Sequence, residues 1–355
     1  IDLSNISHTY NPEDANPTYA LNPFSMTWEN GNRYAILGPS GCGKTTMLNI
    51  VSGLVRPSGG KILFDNRDVT NLKTESRNIA QVFQFPVIYN TMTVYDNLAF
   101  PLKCREFAKE KIEERVQSVS QTLNLSSFLN MPARKLTADQ KQLISLGRGL
   151  VREDVAAVLM DEPLTVIDPD LKFKLRRSLK EINEQYKTTL VYVTHDQNEA
   201  MTFADNIIVM DQGEIVQVGL PKDLFERPKT TFGGYFIGSP AMNLFNSEVV
   251  SNNSIKFSNL EINTKTDLSK IKNKKVKLGI RSEFIKIAND QKENVIDVKV
   301  SRVEDFGNFK LITGKIGEFE IKSKVERETP ISSENLKLFL PAEKCCVYSE
   351  ERLVQ

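Results

Sequence analysis

Charge of one sign, cysteine, histidine and long apolar runs are all in short supply in this chain of 355 residues. Lys and Arg total 46 against 45 for Asp and Glu, a net charge of +1. That balance lacks the electrostatic footprint of a nucleic-acid coat or an acidic tail, so no nucleic-acid partner is expected. No apolar run approaches the roughly 18 residues of a membrane span. No basic-then-apolar start of the secretory kind is read at the N-terminus. Four cysteines are too few and too scattered for a secreted disulfide framework, and Cys345 and Cys346 are adjacent, a spacing that rarely closes a bridge. These absences point to a reduced, cytosolic protein. Hydrophobic residues make up 40% and charged residues 26%, ordinary values for a globular chain that can bury a real core. At about 150 residues per domain, the length suggests two domains.

The first 235 or so residues alternate short β-branched runs with longer amphipathic stretches. Ile36-Leu37, Val158-Leu159-Met160 and Leu190–Val193 read as strands buried on both faces, each followed by a helical pattern. This is α/β layering. The stretch from Glu106 to Leu125 carries charge on one face and reads as a helical insertion between two groups of strands. Gly238-Ser239-Pro240 reads as a linker. Beyond it, Val276–Ile280, Val295–Val300 and Phe319–Lys322 alternate with period two, punctuated by Gly307, Gly314 and Gly317, as in a small β sandwich or barrel.

Gly38-Pro39-Ser40-Gly41-Cys42-Gly43-Lys44-Thr45 fits G-x-x-x-x-G-K-[ST]. An apolar strand precedes it at Tyr34 to Leu37, and a helical run beginning with Thr46 follows. Glycines let the backbone curl so that successive N–H groups face one anion, and the helix start adds partial positive charge. Lys44 is expected to reach the β and γ phosphates of a nucleotide, and Thr45 to hold Mg²⁺. Cys42 sits among these amides, where a thiolate is favoured; the alternative is a small filler residue.

Ala157 to Glu162 is an apolar strand ending in two carboxylates, and the carboxyl end of a parallel strand faces the ligand crevice. Asp161 is expected to bind Mg²⁺ through water, and Glu162 to orient or deprotonate an attacking water. His195 follows the Leu190–Val193 strand and reaches the same sheet edge, suited to a γ-phosphate or the attacking water. The other histidine, His8, reads as incidental.

In the order phosphate loop, Gln84, signature, Asp-Glu strand, Asp168, His195, the chain resembles the ATPase subunits of ABC transporters, specifically carbohydrate or polyol importers. The resemblance implies an α/β P-loop NTPase cassette over residues 1–237, with a helical subdomain at about 86–150, and a β-rich OB/TOBE-like accessory domain over 238–355. It implies that Gln84 forms the Q-loop, contacting Mg²⁺ and water, and that Asp168 forms the D-loop. Tyr10 corresponds to the aromatic that stacks on adenine, with Tyr19 competing for that role. Gly279-Ile280-Arg281-Ser282-Glu283 resembles a motif of the accessory domain, with Ser282 where proline is usual. Phe85–Tyr89 and Met92–Leu98 correspond to the groove that receives a short helix of the membrane subunit, with core packing of the helical insertion as the alternative and room for both at different residues.

The family signature Leu-Ser-Gly-Gly-Gln stands here as Leu136-Thr137-Ala138-Asp139-Gln140. In a closed dimer this loop meets the γ-phosphate held by the opposite subunit, so Asp139 either turns away or impairs that site. Asp in the first turn of a helix is otherwise favourable. Pairing with a second, non-identical ATPase subunit follows as an expectation. The resemblance further implies ATP and Mg²⁺ as cofactors, two membrane permease subunits as partners, and an external solute-binding protein acting indirectly. It implies a peripheral position on the cytoplasmic face of the membrane. The run from Thr137 to Gln142 and the N-terminal Tyr-Asn-Pro-Glu-Asp stretch resemble a subgroup for glycerol or glycerol phosphate. A sugar is the alternative cargo, and a non-catalytic nucleotide-gated subunit the alternative role.

Overall fold

The computed structural model describes residues 1–14, 16–271, 275–331 and 334–354. The expected β-rich region takes in 272–274, 332–333 and 355, which lie outside the described residues. Two compact units emerge, Ile1–Pro221 and Lys222–Gln355.

The first unit opens with an antiparallel sheet of β1 (Asp2–Thr9), β2 (Tyr19–Thr27), β4 (Gly59–Phe64) and β5 (Arg67–Asp68). Between β2 and β4 the chain passes through β3 (Arg33–Leu37) and α1 (Lys44–Ser52). A second sheet has the order β10-β9-β3-β8-β7-β6 and is parallel except at its β10 edge. Its further strands are β6 (Ile79–Val82), β7 (Ala157–Asp161), β8 (Leu190–Thr194), β9 (Asn206–Asp211) and β10 (Glu214–Gly219). Three helices lie between β6 and β7: α2 (Val94–Lys103), α3 (Lys109–Thr122) and α4 (Ala138–Leu150). Two more, α5 (Pro169–Tyr186) and α6 (Gln197–Phe203), flank β8. The expected insertion helix is therefore α3, trimmed at both ends.

The central strands are apolar on both faces for a visible reason. Ala157, Leu159, Val191 and Val193 face one core, with Met47, Leu48, Ile50 and Val51 of α1 and Leu3, Ile6 and Ile62 of the antiparallel sheet. Val158, Met160, Leu190 and Tyr192 face the other, with Leu98, Val116, Ile144 and Leu179 of α2 to α5. Period two thus sends alternate residues into two separate cores. Register then aligns the site: Leu37 pairs with Thr194, and Asp161 with Val193. The loops leaving β3, β6, β7 and β8 all depart from one sheet edge.

The second unit carries α7 (Pro221–Glu226) and α8 (Thr231–Phe236) ahead of two antiparallel sheets. The first has the order β13-β12-β11-β14-β20-β21. Its strands are β11 (Asn243–Val249), β12 (Ser254–Phe257), β13 (Leu260–Asn263), β14 (Lys275–Ile280), β20 (Cys346–Ser349) and β21 (Arg352–Leu353). The second, β15-β19-β16-β17-β18, uses β15 (Lys286–Ile287), β16 (Val295–Asp305), β17 (Phe309–Ile316), β18 (Phe319–Glu326) and β19 (Asn335–Phe339). Arg281 explains why residues 222–237 join this unit. Its guanidinium is fully buried, lies over the Phe225 ring, and donates to the carbonyls of Phe225, Gly234 and Ile237. Burial pulls its pKa down to about 10. The Tyr348 hydroxyl donates to Pro228 O at 3.0 Å on the same side.

Gly307 and Gly317 occupy turns with positive φ, but Gly314 lies inside β17. A Cβ there would come within 2.2 Å of Val298, so this glycine permits close strand approach and is not punctuation.

Candidate functional site

The phosphate loop leaves β3 at Leu37 and enters α1 at Lys44. Gly43 caps that helix at φ 102°, and a Cβ there would sit 2.5 Å from Ala20 O. Gly41 has φ 81°, while a Cβ on Gly38 would meet Met210 O at 2.3 Å. Pro39 O accepts from Lys44 Nζ at 2.8 Å, as does Gly38 O at the same distance. Ser40, Gly41 and Gly43 complete the curl, with Cys42 N bonding back to Pro39 O. The loop therefore carries backbone amides, a helix start and one ammonium, the donor set for a polyphosphate.

Cys42 has the surroundings of the filler residue and not of a thiolate. Its side chain is buried in the core beneath α1, and burial pushes its thiol pKa up despite Lys44 nearby.

Asp161 ends β7 nine-tenths buried and accepts from the Thr45 hydroxyl. Burial raises its carboxyl pKa, with the neighbouring Glu162 charge adding to the effect. A cation at this point would relieve both. Among the described residues no group of three or more His, Cys, Asp or Glu gathers to hold a metal by itself. Thr45 and Asp161 are thus joined where the loop enters α1, while the Gln84 side chain is directed to Glu162.

Glu162 adopts a left-handed backbone, φ 45°, an uncommon state for a non-glycine residue. Its amide donates to Val193 O at 3.0 Å, while its carbonyl accepts from Thr165 Oγ1. Two donors bond one carboxylate oxygen, Oε2, Gln84 Nε2 at 3.3 Å and Thr165 Oγ1 at 3.2 Å, and His195 Nδ1 lies 3.1 Å from the same atom. Residues expected from three separate stretches of sequence are thus joined.

Tyr10 is 60% exposed, and its hydroxyl lies 3.2 Å from Thr46 Oγ1 on α1. That contact favours Tyr10 over Tyr19 as the ring beside the loop. His8 is buried in β1, packs edge-on against Tyr10 at 4.5 Å, and has its pKa lowered by burial.

Thr137 caps α4, accepting from Gln140 N, and Gln140 Oε1 accepts from Thr137 N at 3.1 Å. The altered signature is thus a capping box. Ala138 opens the helix, and Asp139 lies half-exposed in its first turn, where it complements the dipole. Asp168 caps α5, accepting from Asp170 N at 3.0 Å. In the groove, Phe85 is 70% exposed and Val87 is also open, whereas Val94 and Leu98 are core. Arg148 lies 4.7 Å from the Tyr89 ring and donates to Val87 O.

Two buried polar residues escaped the sequence reading. Glu199 accepts from Tyr192 and Thr194 hydroxyls, both at 2.8 Å, and pairs with Lys172 and Arg176 of α5. Gln142 donates to Phe83 O and Pro163 O. A polar side chain at an inward position of an apolar helix face was the available signal.

Comparison with known proteins adds to this geometry. Residues 21–165 match the ABC transporter family, and residues 238–285 match the MalK OB fold domain. The chain is 38% identical, over 91% of both sequences, to the sn-glycerol-3-phosphate import ATP-binding protein UgpC of Pectobacterium atrosepticum. It is 36% identical, over 84% of both, to the trehalose/maltose import ATP-binding protein MalK of Thermococcus litoralis. A dimeric ATP-binding cassette in a post-hydrolysis state bound to ADP and Pi aligns at TM-score 0.56 and 29% identity. It covers 62% of this chain and 98% of that one. No described helix is long and apolar enough to cross a membrane.

Proposed function

The chain belongs to the ATP-binding subunits of ABC importers of the sugar and glycerol-3-phosphate type, and from that premise we propose that it powers uptake of glycerol 3-phosphate or a related polyol. The full-length likeness to UgpC supports this cargo; a sugar is the next reading, supported by the likeness to MalK. The functional division proposed is 1–237 and 238–355, supported by the start of the OB fold match, while residues 222–237 pack within the second compact unit.

The chain is an ATPase, and one observation carries its chemistry: the convergence of Gln84, Thr165 and His195 on Glu162 Oε2. The loop amides and Lys44 grip the β and γ phosphates. Thr45, Asp161 and Gln84 would hold Mg²⁺, which when bound draws charge from phosphate oxygens. Glu162 accepts the proton of the attacking water, and Gln84 and His195 fix its carboxylate toward that task. Tyr10 offers a ring face for adenine.

Two membrane permeases receive the exposed Phe85–Tyr89 segment, at the cytoplasmic face, with an external solute-binding protein delivering the cargo. Asp139 supports pairing with a non-identical second ATPase, since its charge then enters one composite site and not both. The dimeric cassettes among the structural relatives support like pairing instead. Native mass of the complex expressed with its permeases separates the two. Magnesium-dependent ATP hydrolysis by that complex, stimulated by loaded receptor and abolished by Glu162→Gln, is the expected result. Hydrolysis unaffected by Glu162→Gln would overturn the assignment, and receptor selectivity among glycerol 3-phosphate, glycerol and maltose reads the cargo.

A further inference from the structure

Gln142 lies in α4, just past the Thr137–Gln140 capping box. Its side chain has no solvent exposure. Nε2 donates one N–H to Phe83 O at 3.1 Å and the other to Pro163 O at 3.0 Å. Phe83 immediately precedes Gln84, and Pro163 immediately follows Glu162. Those two side chains come from the ends of different strands, β6 and β7, and hydrogen-bond to each other at 3.3 Å. One carboxamide from a third element therefore grips the backbone beside both.

Its orientation is fixed by chemistry. Flipping the amide would aim its oxygen at two carbonyl oxygens, which cannot donate. In the orientation that satisfies those carbonyls, Oε1 is buried without a partner among the described residues. A buried acceptor left unpaired is costly. Packing alone does not explain the residue, because a methionine fills the same volume with no polar atom to satisfy. The Glu162 turn, in turn, is held in a left-handed backbone that its surroundings must impose.

We propose that Gln142 is a positioning residue: it sets the separation of Gln84 and Glu162 and carries displacement of the signature end of α4 to both at once. The inference rests on the ATPase reading of those two residues. It makes the signature helix a direct mechanical neighbour of the water-activating pair within one subunit.

The test is Gln142→Met in the full chain, alone and assembled with its permeases. Turnover is expected to fall about tenfold to a hundredfold, the scale of a slight misplacement of reacting groups. Affinity for magnesium ATP stays within about threefold, since the phosphate loop is untouched. The chain has only two histidines, so ¹⁵N-histidine labelling reports on two rings, four ring nitrogens in all, assigned by His195→Gln. His195 Nδ1 lies 3.1 Å from Glu162 Oε2, so its signals should move in Gln142→Met while those of His8 stay. Unchanged turnover with an unmoved His195 signal would overturn the proposal. So would a parallel loss of affinity, turnover and melting temperature, which marks a packing role. Should Gln142→Met not fold, Gln142→Glu, which keeps the shape and gives up both N–H donors, is read the same way. A wild-type complex without hydrolysis sinks the ATPase reading, and the His195 signal then judges the clamp by itself.

Discussion

Replacing Asp139 by glycine tests how the altered signature works. The capping box of Thr137 and Gln140 does not use the Asp139 side chain, so α4 still starts at the same place. Folding loses the favourable first-turn charge, about 0.3–1 kcal/mol, and a few tenths more for glycine in a helix. Catalysis moves the other way. Two like charges about 5 Å apart repel by roughly 3 kcal/mol at an effective dielectric near 20. At about 1.4 kcal/mol per decade, removing that repulsion raises turnover by up to about a hundredfold. Asp139→Asn keeps the size and removes the charge, so it separates electrostatics from backbone freedom. Phosphate release by the assembled complex is the assay, at low and high salt, because a half-exposed charge is partly screened. A slightly lower melting temperature with faster turnover in both variants is expected. Turnover within twofold of wild type in both would refute the idea that this carboxylate faces a bound phosphate.

Other outcomes follow from the same geometry. Gly43→Ala forces a side chain into a left-handed backbone 2.5 Å from Ala20 O; nucleotide binding should disappear and the melt should drop by at least the 1–2 kcal/mol of the backbone term, as calorimetry can read. Glu162→Gln should cut turnover by about a hundredfold to ten-thousandfold while the chain still binds ATP, seen by equilibrium binding beside phosphate release. Burial raises the Asp161 carboxyl pKa above its unfolded value; this group therefore favours the fold at low pH and costs stability as pH rises through its folded pKa. Asp161→Asn should melt higher than wild type at neutral pH without nucleotide and lose magnesium dependence, and equal melting curves from pH 4 to 7 would count against the burial argument. Phe85→Ser should weaken co-purification with the permeases and leave ATP affinity alone, because Phe85 is an open side chain outside the phosphate loop.

The sheet edge was legible in the sequence because each strand there is a short apolar run, and some stop at a polar residue. Asp161 and Thr194 mark such stops, β3 ends instead at Leu37 before the glycine loop, and parallel register brings the three level. Gln84 was legible through its place in an ordered set of motifs and not through local pattern. What stayed hidden depends on long-range contact. Gln142 and Glu199 are polar side chains whose partners lie in distant segments, so periodicity assigns them no role. His8 reads as a residue of a polar stretch until Tyr10 and Ser58 enclose it. Gly314 resembles a turn glycine until Val298 is placed against it. Residues 222–237 look like the tail of the first unit until Arg281, far along the chain, binds their carbonyls.

Lys44 holds two carbonyl oxygens of its own loop, each at 2.8 Å. An incoming anion must outcompete these tethers, so a singly charged metabolite gains little by the exchange. A triphosphate, offering several oxygens and much greater charge, can win it. Loading the loop therefore trades two internal contacts for external ones, an exchange that grows more favourable with the charge of the incoming anion.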